Sequence, residues 1–257
     1  MAKREDNKRL IAAAMRATAL FSGWPQTEFE TVRDSAELWR FAKGEIVAQR
    51  GDPAKGLWLV AQGSLTSYRD SPGGRYTLIG ILWPGSGGVM GVLPMLDDQP
   101  MPLSHAARED SLVVLFPRGP LQATLRRGGA PLDAVIRFQC VRSRIEYEAT
   151  YNRIADTMRC QLAKLMAFLP RKSMFWAEVE NPAPVDVSQD EIGAMLGLSR
   201  QTVNKLMTPL LRDGILERNG HSVRVASFKR LLEIIEEDEQ LPESYRTELL
   251  SWDEKGR

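Results

Sequence analysis

Four long polar side chains follow a serine in the stretch LGLSRQTVNKLM, residues 196–207. Arg200 and Gln201 come directly after Ser199, and Asn204 and Lys205 follow one helical turn later, so all four would point outward from the start of a helix. Arginine can bond bidentately to guanine, glutamine can do so to adenine, and lysine reaches guanine or phosphate. These residue types at this spacing predict that Arg200, Gln201 and Lys205 read DNA bases.

The sequence around this stretch predicts a helix-turn-helix. Ser188 and Glu191 form the S-x-x-E capping box that starts a helix. Gly197 allows a tight turn, and Ser199 can cap the second helix. A helix, a short turn and a second helix with donors at its start form the geometry that reads the major groove. The apolar residues expected to bury the two helices are Ile192, Met195, Leu196, Val203, Leu206, Leu210 and Leu211.

A hairpin with an Asn-Gly turn is predicted after the second helix, in ERNGHSVRVAS. It would act as a wing, with Arg218 and Arg224 against the DNA backbone. Two alternatives stay open from the residues alone: the polar face is an ordinary solvated helix surface, or the winged helix contacts protein. Binding to several phosphates weakens steeply with salt, which distinguishes DNA from a protein partner.

The composition is that of a globular chain. Of 257 residues, 43% are apolar and 26% are charged, and the formal net charge is +1. We expect neither a membrane span nor a secretory signal, because no long apolar run occurs and the amino terminus, MAKREDNKRL, is strongly charged. Cys140 and Cys160 lie in a stretch predicted as helix, so no disulfide framework is expected. The cytoplasm is the expected compartment.

The amino-terminal half changes from a helical pattern to a strand pattern. Residues 10–42 are predicted as short helices. From Gly44 onward, short apolar runs alternate with turns such as GDPAKG, SPGGR and PGSGG, up to a last strand near residue 115. Short strands with such turns are typical of a β-sandwich, a jelly roll or a small barrel.

Residues 131–168 keep a helical period, because no glycine and no internal proline interrupts it, and the long helix itself is predicted over about 131–158. One apolar stripe, at steps of three and four residues, could pair with a second copy of the chain. The residues of this stripe are Phe138, Val141, Ile145 and Ala149. The alternative is a helix packed wholly on its own domain. The proline-containing stretch 180–191, ENPAPVDVSQDE, then marks a linker edge.

The stretch VSQDEIGAMLGLSRQTVNKLMTPLLRDGILERNG resembles the carboxy-terminal winged helix of the cyclic-AMP receptor protein and fumarate–nitrate regulator (CRP/FNR) family. The order of parts also matches that family over about residues 20–230. The resemblance implies an α+β fold in four parts. These are helices with a cyclic-nucleotide-binding-like β-roll, or jelly roll (1–130), a dimerisation helix and hinge (131–168), a winged helix-turn-helix (169–230) and an acidic extension (231–257).

The acidic extension carries apolar residues that suggest a helix packed back on the protein, and a solvated tail is the alternative. These residues are Leu231, Leu232, Leu249, Leu250 and Trp252.

The resemblance also implies roles for individual residues of the winged helix. It assigns base reading to Arg200, Gln201 and Lys205. The backbone contacts expected with them are Ser188, Ser199, Thr202 and Asn204. Gln201 stands where many members of the family have glutamate. A carboxylate prefers the amino group of cytosine whereas an amide suits adenine, so we do not expect the best-known operator of the family.

Residues 87–110, GGVMGVLPMLDDQPMPLSHAARED, match the stretch in which family members hold a cyclic nucleotide with a glycine–glutamate pair and an arginine–serine pair. Here Val92 follows Gly91 in place of glutamate, and Leu103 precedes Ser104 where arginine would stand. Because a phosphate site without its arginine binds an anion poorly, we do not expect cyclic AMP as the effector. The substitutions predict an apolar pocket or a collapsed one. A cyclic nucleotide bound by an atypical cassette is the alternative.

No cofactor, no metal and no enzyme activity are expected. An iron–sulfur cluster needs about four thiolates, and no cysteine precedes Cys140. His105 could be an axial haem ligand, but a lone histidine in a strand is more often a surface or packing residue. The two histidines, His105 and His221, do not supply the several converging ligands of a cupin-type metal site. No P-loop, nucleophile elbow or Cys–His pairing occurs either.

The residues and the resemblance together predict a homodimeric, sequence-specific DNA-binding transcription regulator. Its expected partners are a pseudo-palindromic double-stranded DNA site, a second copy of the chain and RNA polymerase. An unidentified small-molecule effector is a further expected partner, and a membrane is not.

Overall fold

The computed structural model describes residues 2–70, 73, 76–169, 187–220 and 222–237. The chain divides into two compact units, Met1–Arg144 and Ile145–Arg257, called unit 1 and unit 2 below. The division falls inside the long helix Ala130–Ala155, which the sequence assigned whole to a dimerisation segment.

Unit 1 combines helices with a strand-rich body. Its described helices are α1 (Ala2–Arg16), α2 (Gln26–Ser35), α3 (Val92–Asp97), α4 (Arg118–Leu125) and the larger part of α5 (Ala130–Ala155). Its described strands are β1 (Glu37–Phe41), β2 (Ile46–Ala48), β3 (Gly56–Gln62), β4 (Leu65–Asp70), β5 (Tyr76–Leu82), β6 (Val89–Met90), β7 (Ser104–Ala107) and β8 (Ser111–Pro117).

The strands of unit 1 form two antiparallel sheets of four strands each, in the orders β1-β8-β3-β6 and β2-β7-β4-β5. Side chains of both sheets are buried in one apolar cluster, in which Val47 and Leu65 of the second sheet join Trp58, Met90 and Val113 of the first. Two sheets that share a buried core in this way form a β-sandwich. The predicted strand-rich body and its last strand near residue 115 are therefore confirmed.

The predicted helical stretch 10–42 is wrong at its carboxyl end. α2 ends at Ser35, and residues 37–41 form β1, which pairs with β8 from Glu37 opposite Leu115 to Phe41 opposite Ser111. The pairing partner lies more than seventy residues away along the chain. A local pattern cannot report such a partner, and the sheet hydrogen bonds override the weak helical preference of this segment.

Unit 2 contains two helices joined by a short turn, a hairpin and a last helix. Its described elements after α5 are α6 (Met158–Phe168), α7 (Gln189–Leu196), α8 (Arg200–Arg212), β9 (Leu216–Asn219), β10 (Ser222–Val225) and α9 (Phe228–Glu236). Its largest fully buried side chains are Leu162, Met166, Ile192, Met207, Leu210 and Leu216. The order of elements is that of the predicted winged helix-turn-helix.

The chain breaks between α5 and α6 inside the helical stretch 131–168, close to residue 158, where the long helix was predicted to end. α5 ends at Ala155 and α6 begins at Met158. Thr157 is the N-cap of α6, and its side-chain oxygen accepts a hydrogen bond from the backbone N–H of Cys160. A threonine cap can start a new helix without glycine or proline. Those two helix-breaking residues therefore do not mark this break in the sequence.

The hairpin of the wing turns one residue later than predicted. Asn219 is the last residue of β9 and pairs with Ser222, so Asn219 belongs to the strand and the turn begins at Gly220. Gly220 has a φ of +60°, a conformation that suits glycine. His221 itself lies outside the described residues.

The acidic extension begins as a buried helix. Leu231 and Leu232 belong to α9 and are buried, as expected for a helix packed back on the protein. Leu249, Leu250 and Trp252 lie outside the described residues, as do residues 180–186 of the predicted linker edge.

Candidate functional site

The turn between α7 and α8 is built from local hydrogen bonds. At the start of α7, the Ser188 side chain accepts from the backbone N–H of Glu191 at 3.2 Å, and the Ser188 N–H donates to the Glu191 carboxylate at 2.8 Å. Gly197 ends α7 with a φ of +69°, and Ser199 caps α8 by accepting from the Thr202 N–H at 3.2 Å. The capping box and the turn predicted from the sequence are confirmed.

A close approach of the two helices depends on Gly193. A Cβ at this position would lie 2.7 Å from the carbonyl oxygen of Leu198 and 3.4 Å from Cγ2 of Val203. The Gly193 carbonyl accepts from the Leu198 N–H at 2.8 Å. The turn therefore packs directly on the backbone of α7, and this fixes the position at which α8 begins.

The outward face of α8 carries the predicted polar residues. Arg200, Gln201, Asn204 and Lys205 are exposed, while Val203, Met207 and Leu210 on the opposite face are buried. The Arg200 side chain is 72% exposed. The first two turns of α8 thus present two cations and two amides to solvent. This arrangement can donate hydrogen bonds to the base edges of a DNA major groove.

The residues expected to touch the DNA backbone lie at the two helix starts. The Ser199 and Thr202 hydroxyls are 2.9 Å apart, and Thr202 is half-buried. The Ser188 hydroxyl is half-buried and lies 2.9 Å from a Glu191 carboxylate oxygen. Because both polar groups of Ser188 are already engaged by Glu191, a phosphate contact from Ser188 would have to replace one of these bonds.

An acidic residue that the sequence reading did not single out stands beside Arg200. Asp190, in the first turn of α7, has its Oδ2 3.6 Å from Nη1 of Arg200. Both side chains are exposed, so the pair contributes little stability. A negative charge at this distance can nevertheless orient the guanidinium of Arg200. Only the folded helix pair shows this proximity, since the two residues are ten positions apart.

The wing presents one arginine more freely than the other. Arg218 is exposed on β9, whereas Arg224 on β10 forms an ion pair with Glu217 across the hairpin. The register pairs Arg224 with Glu217 directly. A phosphate contact from Arg224 would therefore compete with a carboxylate.

In unit 1, the residues of the predicted effector region lie around the start of α3 and in β7. Gly91 caps α3 with a φ of +86°, and a Cβ there would lie 2.7 Å from the Gly56 carbonyl oxygen. Val92 is buried. Leu103 is half-buried, and the half-buried Ser104 accepts from the backbone N–H of Arg50 at 3.1 Å. Val92, which the resemblance aligns with the glutamate of nucleotide-binding members, is thus a buried apolar side chain.

His105 is a buried residue of unit 1 with a hydrogen-bond partner. Its Nδ1 lies 2.9 Å from the Ser67 hydroxyl. Burial, and to a smaller extent the positive charge of Arg142, lowers the pKa of His105 from 6.5 to about 4. Arg142, on α5, also donates to the carbonyl oxygen of Val89, two residues before Gly91. The sequence reading missed Arg142, whose only signal was a charge within an otherwise amphipathic helix.

The described residues contain no group of three or more His, Cys, Asp or Glu side chains arranged to hold a metal ion. Cys160 is buried in α6, and its thiol lies 3.9 Å from the Ile235 carbonyl oxygen. Cys140, in contrast, is exposed on α5.

One residue of the predicted dimerisation stripe of α5 is covered by its own unit, and the other three are partly accessible. Phe138 is only 2% exposed, because it packs into the core of unit 1, and Val141, Ile145 and Ala149 are half-buried. A side chain buried within its own unit is not available to a second copy. The large apolar side chains that α5 exposes are instead Ile136, Tyr147, Tyr151 and Ile154. The helical period identified an amphipathic helix but did not show which face its own unit covers.

Within the part of the chain that the structure describes, none of the helices is both long enough and apolar enough to cross a membrane.

Comparisons with known families cover most of the chain. Residues 38–127 match the family "Cyclic nucleotide-binding domain", and residues 161–234 match "Crp-like helix-turn-helix domain". The first match covers the strands and α4 of unit 1, and the second covers α6 to α9 of unit 2.

Individual relatives align with this chain over most of their own length. The CRP-like cAMP-activated global transcriptional regulator of Mycobacterium tuberculosis is 26% identical over 216 residues, which cover 82% of this chain and 94% of that protein. The Cyclic AMP receptor protein of Thermus thermophilus is 24% identical over 229 residues, covering 86% and 98%. The solved structure of FixK2 from Bradyrhizobium japonicum has the same fold, with a TM-score of 0.67, 22% identity, and coverage of 80% of this chain and 99% of that chain.

Proposed function

Because the chain belongs to the CRP/FNR family of transcription regulators, we propose that it is a homodimer that reads a pseudo-palindromic DNA site with α8. The single observation that supports this most is the outward face of α8, where Arg200, Gln201, Asn204 and Lys205 are exposed above a buried apolar face. A solvated helix has no need of so many base-compatible donors at its start. Members of this family are not enzymes, and nothing in the site suggests catalysis.

The individual roles follow from chemistry and position. Arg200 and Gln201 specify guanine and adenine, and Lys205 specifies guanine or anchors phosphate. Ser199, Thr202 and Asn204 hold the DNA backbone, with Ser188 at the neighbouring helix start. Helix starts suit this task because their N–H groups and dipoles attract phosphate.

The second copy of the chain binds along α5. Tyr147, Tyr151 and Ile154 follow one another at steps of four and three residues, and all three are exposed. Ile154 is 82% exposed. Large apolar side chains at such steps form the seam of a two-helix contact. A two-fold dimer then places two copies of α8 in successive major grooves, about 34 Å apart.

The effector of unit 1 is not cyclic AMP. Unit 1 matches the cyclic nucleotide-binding family and a relative is named as cAMP-activated. However, Val92 is buried where a nucleotide-binding member has glutamate, and Leu103 stands at the position of the arginine. A small apolar effector, or none, fits these residues. The regulator acts on chromosomal DNA and contacts RNA polymerase there, and in bacteria such as its relatives that place is the cytoplasm.

Selection of bound sequences from random duplex DNA by the purified chain tests the proposal. We expect enrichment of a two-fold site and a steep fall in affinity with salt. Arg200→Ala should lower discrimination at one base position of each half-site by about 5- to 150-fold, the value of a bidentate base contact of about 1–3 kcal/mol. Arg212→Ala, an exposed arginine at the far end of α8 that pairs with Asp213, is the matched control and should keep every base preference.

Three outcomes would contradict parts of the proposal. Unchanged base preferences in Arg200→Ala would show that α8 does not read bases. A protein ligand with a salt-insensitive affinity, and no DNA site, would favour a protein-binding winged helix. Enrichment that requires added cyclic AMP would show that an atypical cassette binds the nucleotide.

A further inference from the structure

Two charged side chains are buried together at the junction of α5 and α6. Nζ of Lys164 lies 2.7 Å from Oδ2 of Asp156, and the two side chains are only 5% and 3% exposed. Nζ also donates to the side-chain oxygen of Asn152 at 3.0 Å. The negative charge of the Asp156 carboxylate is thus compensated by the positive charge of Lys164.

The three residues connect both sides of the break between the helices. Asn152 lies in the last turn of α5, Asp156 lies between the helices, and Lys164 lies in the second turn of α6. Gln161 strengthens the junction, because its side-chain amide donates to the backbone carbonyl oxygen of Asp156 at 3.1 Å. Lys164 therefore ties the body of α6 back onto the end of α5.

Stability alone does not account for this pair. Removing two charges from water is costly, and well-packed apolar residues of similar volume are often at least as stabilising as a buried ion pair. An ion pair, unlike an apolar contact, requires a specific geometry. The carboxylate and the ammonium must lie within contact distance of each other, whereas apolar side chains can shift along one another and stay packed. A buried pair at a junction thus selects one angle between the two helices.

The angle between α5 and α6 determines the position of α8 within unit 2. The proposed dimer seam on α5 runs up to Ile154, directly before the junction. On the other side, α6 packs against α9, where the buried Cys160 thiol lies 3.9 Å from the Ile235 carbonyl oxygen. α6 also packs against α8. The angle at the junction therefore sets where α8 lies relative to the dimer seam.

We infer that Lys164 and Asp156 are positioning residues that determine the spacing of the two DNA half-sites. The inference rests on the proposed dimeric DNA binding. In a two-fold dimer, any change in the angle between α5 and α6 moves both copies of α8 in opposite directions. Changing the centre of a half-site by one base pair corresponds to a shift of about 3.4 Å along the DNA and a rotation of about 35°. A junction with one fixed angle accepts one spacing.

The test replaces the pair by apolar residues of similar size, Lys164→Met with Asp156→Leu. Each single substitution leaves one uncompensated buried charge and should lower Tm by more than about 5 °C, whereas the double variant should recover most of that loss. Arg159→Met with Glu237→Gln, which removes an exposed ion pair of the same unit, is the matched control. Asn152→Ala keeps both charges and serves as a second, milder variant.

The first readout is a library in which one half-site sequence is repeated at every spacing over one helical turn. We expect the wild type and the control to enrich a single spacing. The double variant should spread its enrichment over neighbouring spacings at unchanged base preferences, and Asn152→Ala should do so less. If the pair only stabilised the fold, its loss would lower the yield of folded protein, and the folded fraction would still enrich one half-site spacing. Enrichment of one spacing by the folded double variant, or by Asn152→Ala, would therefore overturn the inference.

The second readout needs no DNA. A spin label at the exposed position 233 of α9, introduced by Glu233→Cys in a Cys140→Ser background, reports the distance between the two copies of α9 in the dimer by pulsed dipolar spectroscopy. The wild-type distance distribution should be narrow and that of the double variant broad; equal widths would overturn the inference. A narrow distance in a wild type that enriches no DNA site would refute the proposed DNA reading while the junction's role in fixing α9 stands.

Discussion

Acidification should destabilise unit 1 through His105. The imidazole is 5% exposed, bonded to Ser67 and close to the positive charge of Arg142, and its pKa is about 4 in the folded chain against 6.5 in the unfolded one. Between these two values the unfolded chain binds a proton that the folded chain does not bind. The free energy of unfolding therefore falls as the pH falls through this interval.

The size of the effect follows from the two pKa values. Each pH unit within the interval removes about 1.4 kcal/mol. The contribution of His105 is complete above pH 6.5, declines below it and is lost by pH 4, in total about 3 kcal/mol. That is a large share of the stability of an ordinary domain, about 5–15 kcal/mol.

Urea unfolding at pH 7.0, 6.0, 5.0 and 4.5 measures this contribution for the wild type and for His105→Asn. Four of the six tryptophans, Trp24, Trp39, Trp58 and Trp83, belong to unit 1, so fluorescence follows mainly that unit. Other titrating groups are common to both proteins and cancel in the difference. The wild type should lose stability relative to the variant as the pH falls.

Ser67→Ala provides the control for this comparison. It removes the hydroxyl that lies 2.9 Å from Nδ1 and should cost about 1–3 kcal/mol at neutral pH, while the steep dependence on pH remains because the imidazole is still buried. Equal pH dependence in the wild type and in His105→Asn would refute the reasoning, since it would mean that the imidazole is protonated in the folded state.

Three further predictions concern unit 2 and the dimer. Ser188→Ala removes the cap of α7 and should lower the free energy of unfolding of unit 2 by about 1 kcal/mol, measured by urea unfolding followed by circular dichroism; no change would mean that Glu191 alone holds the helix start. Gly193→Ala gains about 1 kcal/mol of helix propensity, but its Cβ would lie 2.7 Å from the Leu198 carbonyl oxygen, so the turn must shift and we expect lower DNA affinity in a filter-binding assay; unchanged affinity would contradict the close packing. Ile154→Asp should abolish both the dimer in light scattering and the binding to a two-fold site, and retention of the dimer would exclude this face of α5 as the seam.

Local chemistry made parts of this protein predictable from its sequence. The capping box of Ser188 and Glu191, the glycine that ends α7 and the serine that caps α8 each act over four residues or fewer. Hydrogen bonds of that range depend on residue types at fixed offsets, and a sequence displays those directly. The helical period of α8 also predicts which of its side chains are exposed, because the polar donors lie opposite the apolar face. The resemblance to the CRP/FNR family added the order of the parts.

Other features depended on partners far along the chain. Residues 37–41 form a strand because β8 offers them hydrogen bonds, and Phe138 is buried because unit 1 covers that face of α5. The spacing of apolar residues predicts that a helix has an apolar face, but it does not predict which part of the protein, or which second chain, covers that face. The sequence therefore predicted α5 as a long helix without showing that Phe138 is buried in its own unit, and the stripe that forms the dimer stays a prediction.

The sequence by itself determined the helix starts, the strand-rich body and the outward chemistry of α8, because these rest on hydrogen bonds and conformational preferences within a few residues. Only the tertiary structure decided which charges meet. Arg200 has Asp190 beside it, Arg142 stands near His105, and Lys164 is buried against Asp156. Electrostatic interaction depends on distance in space and on the exclusion of water, and neither quantity exists until the chain has folded.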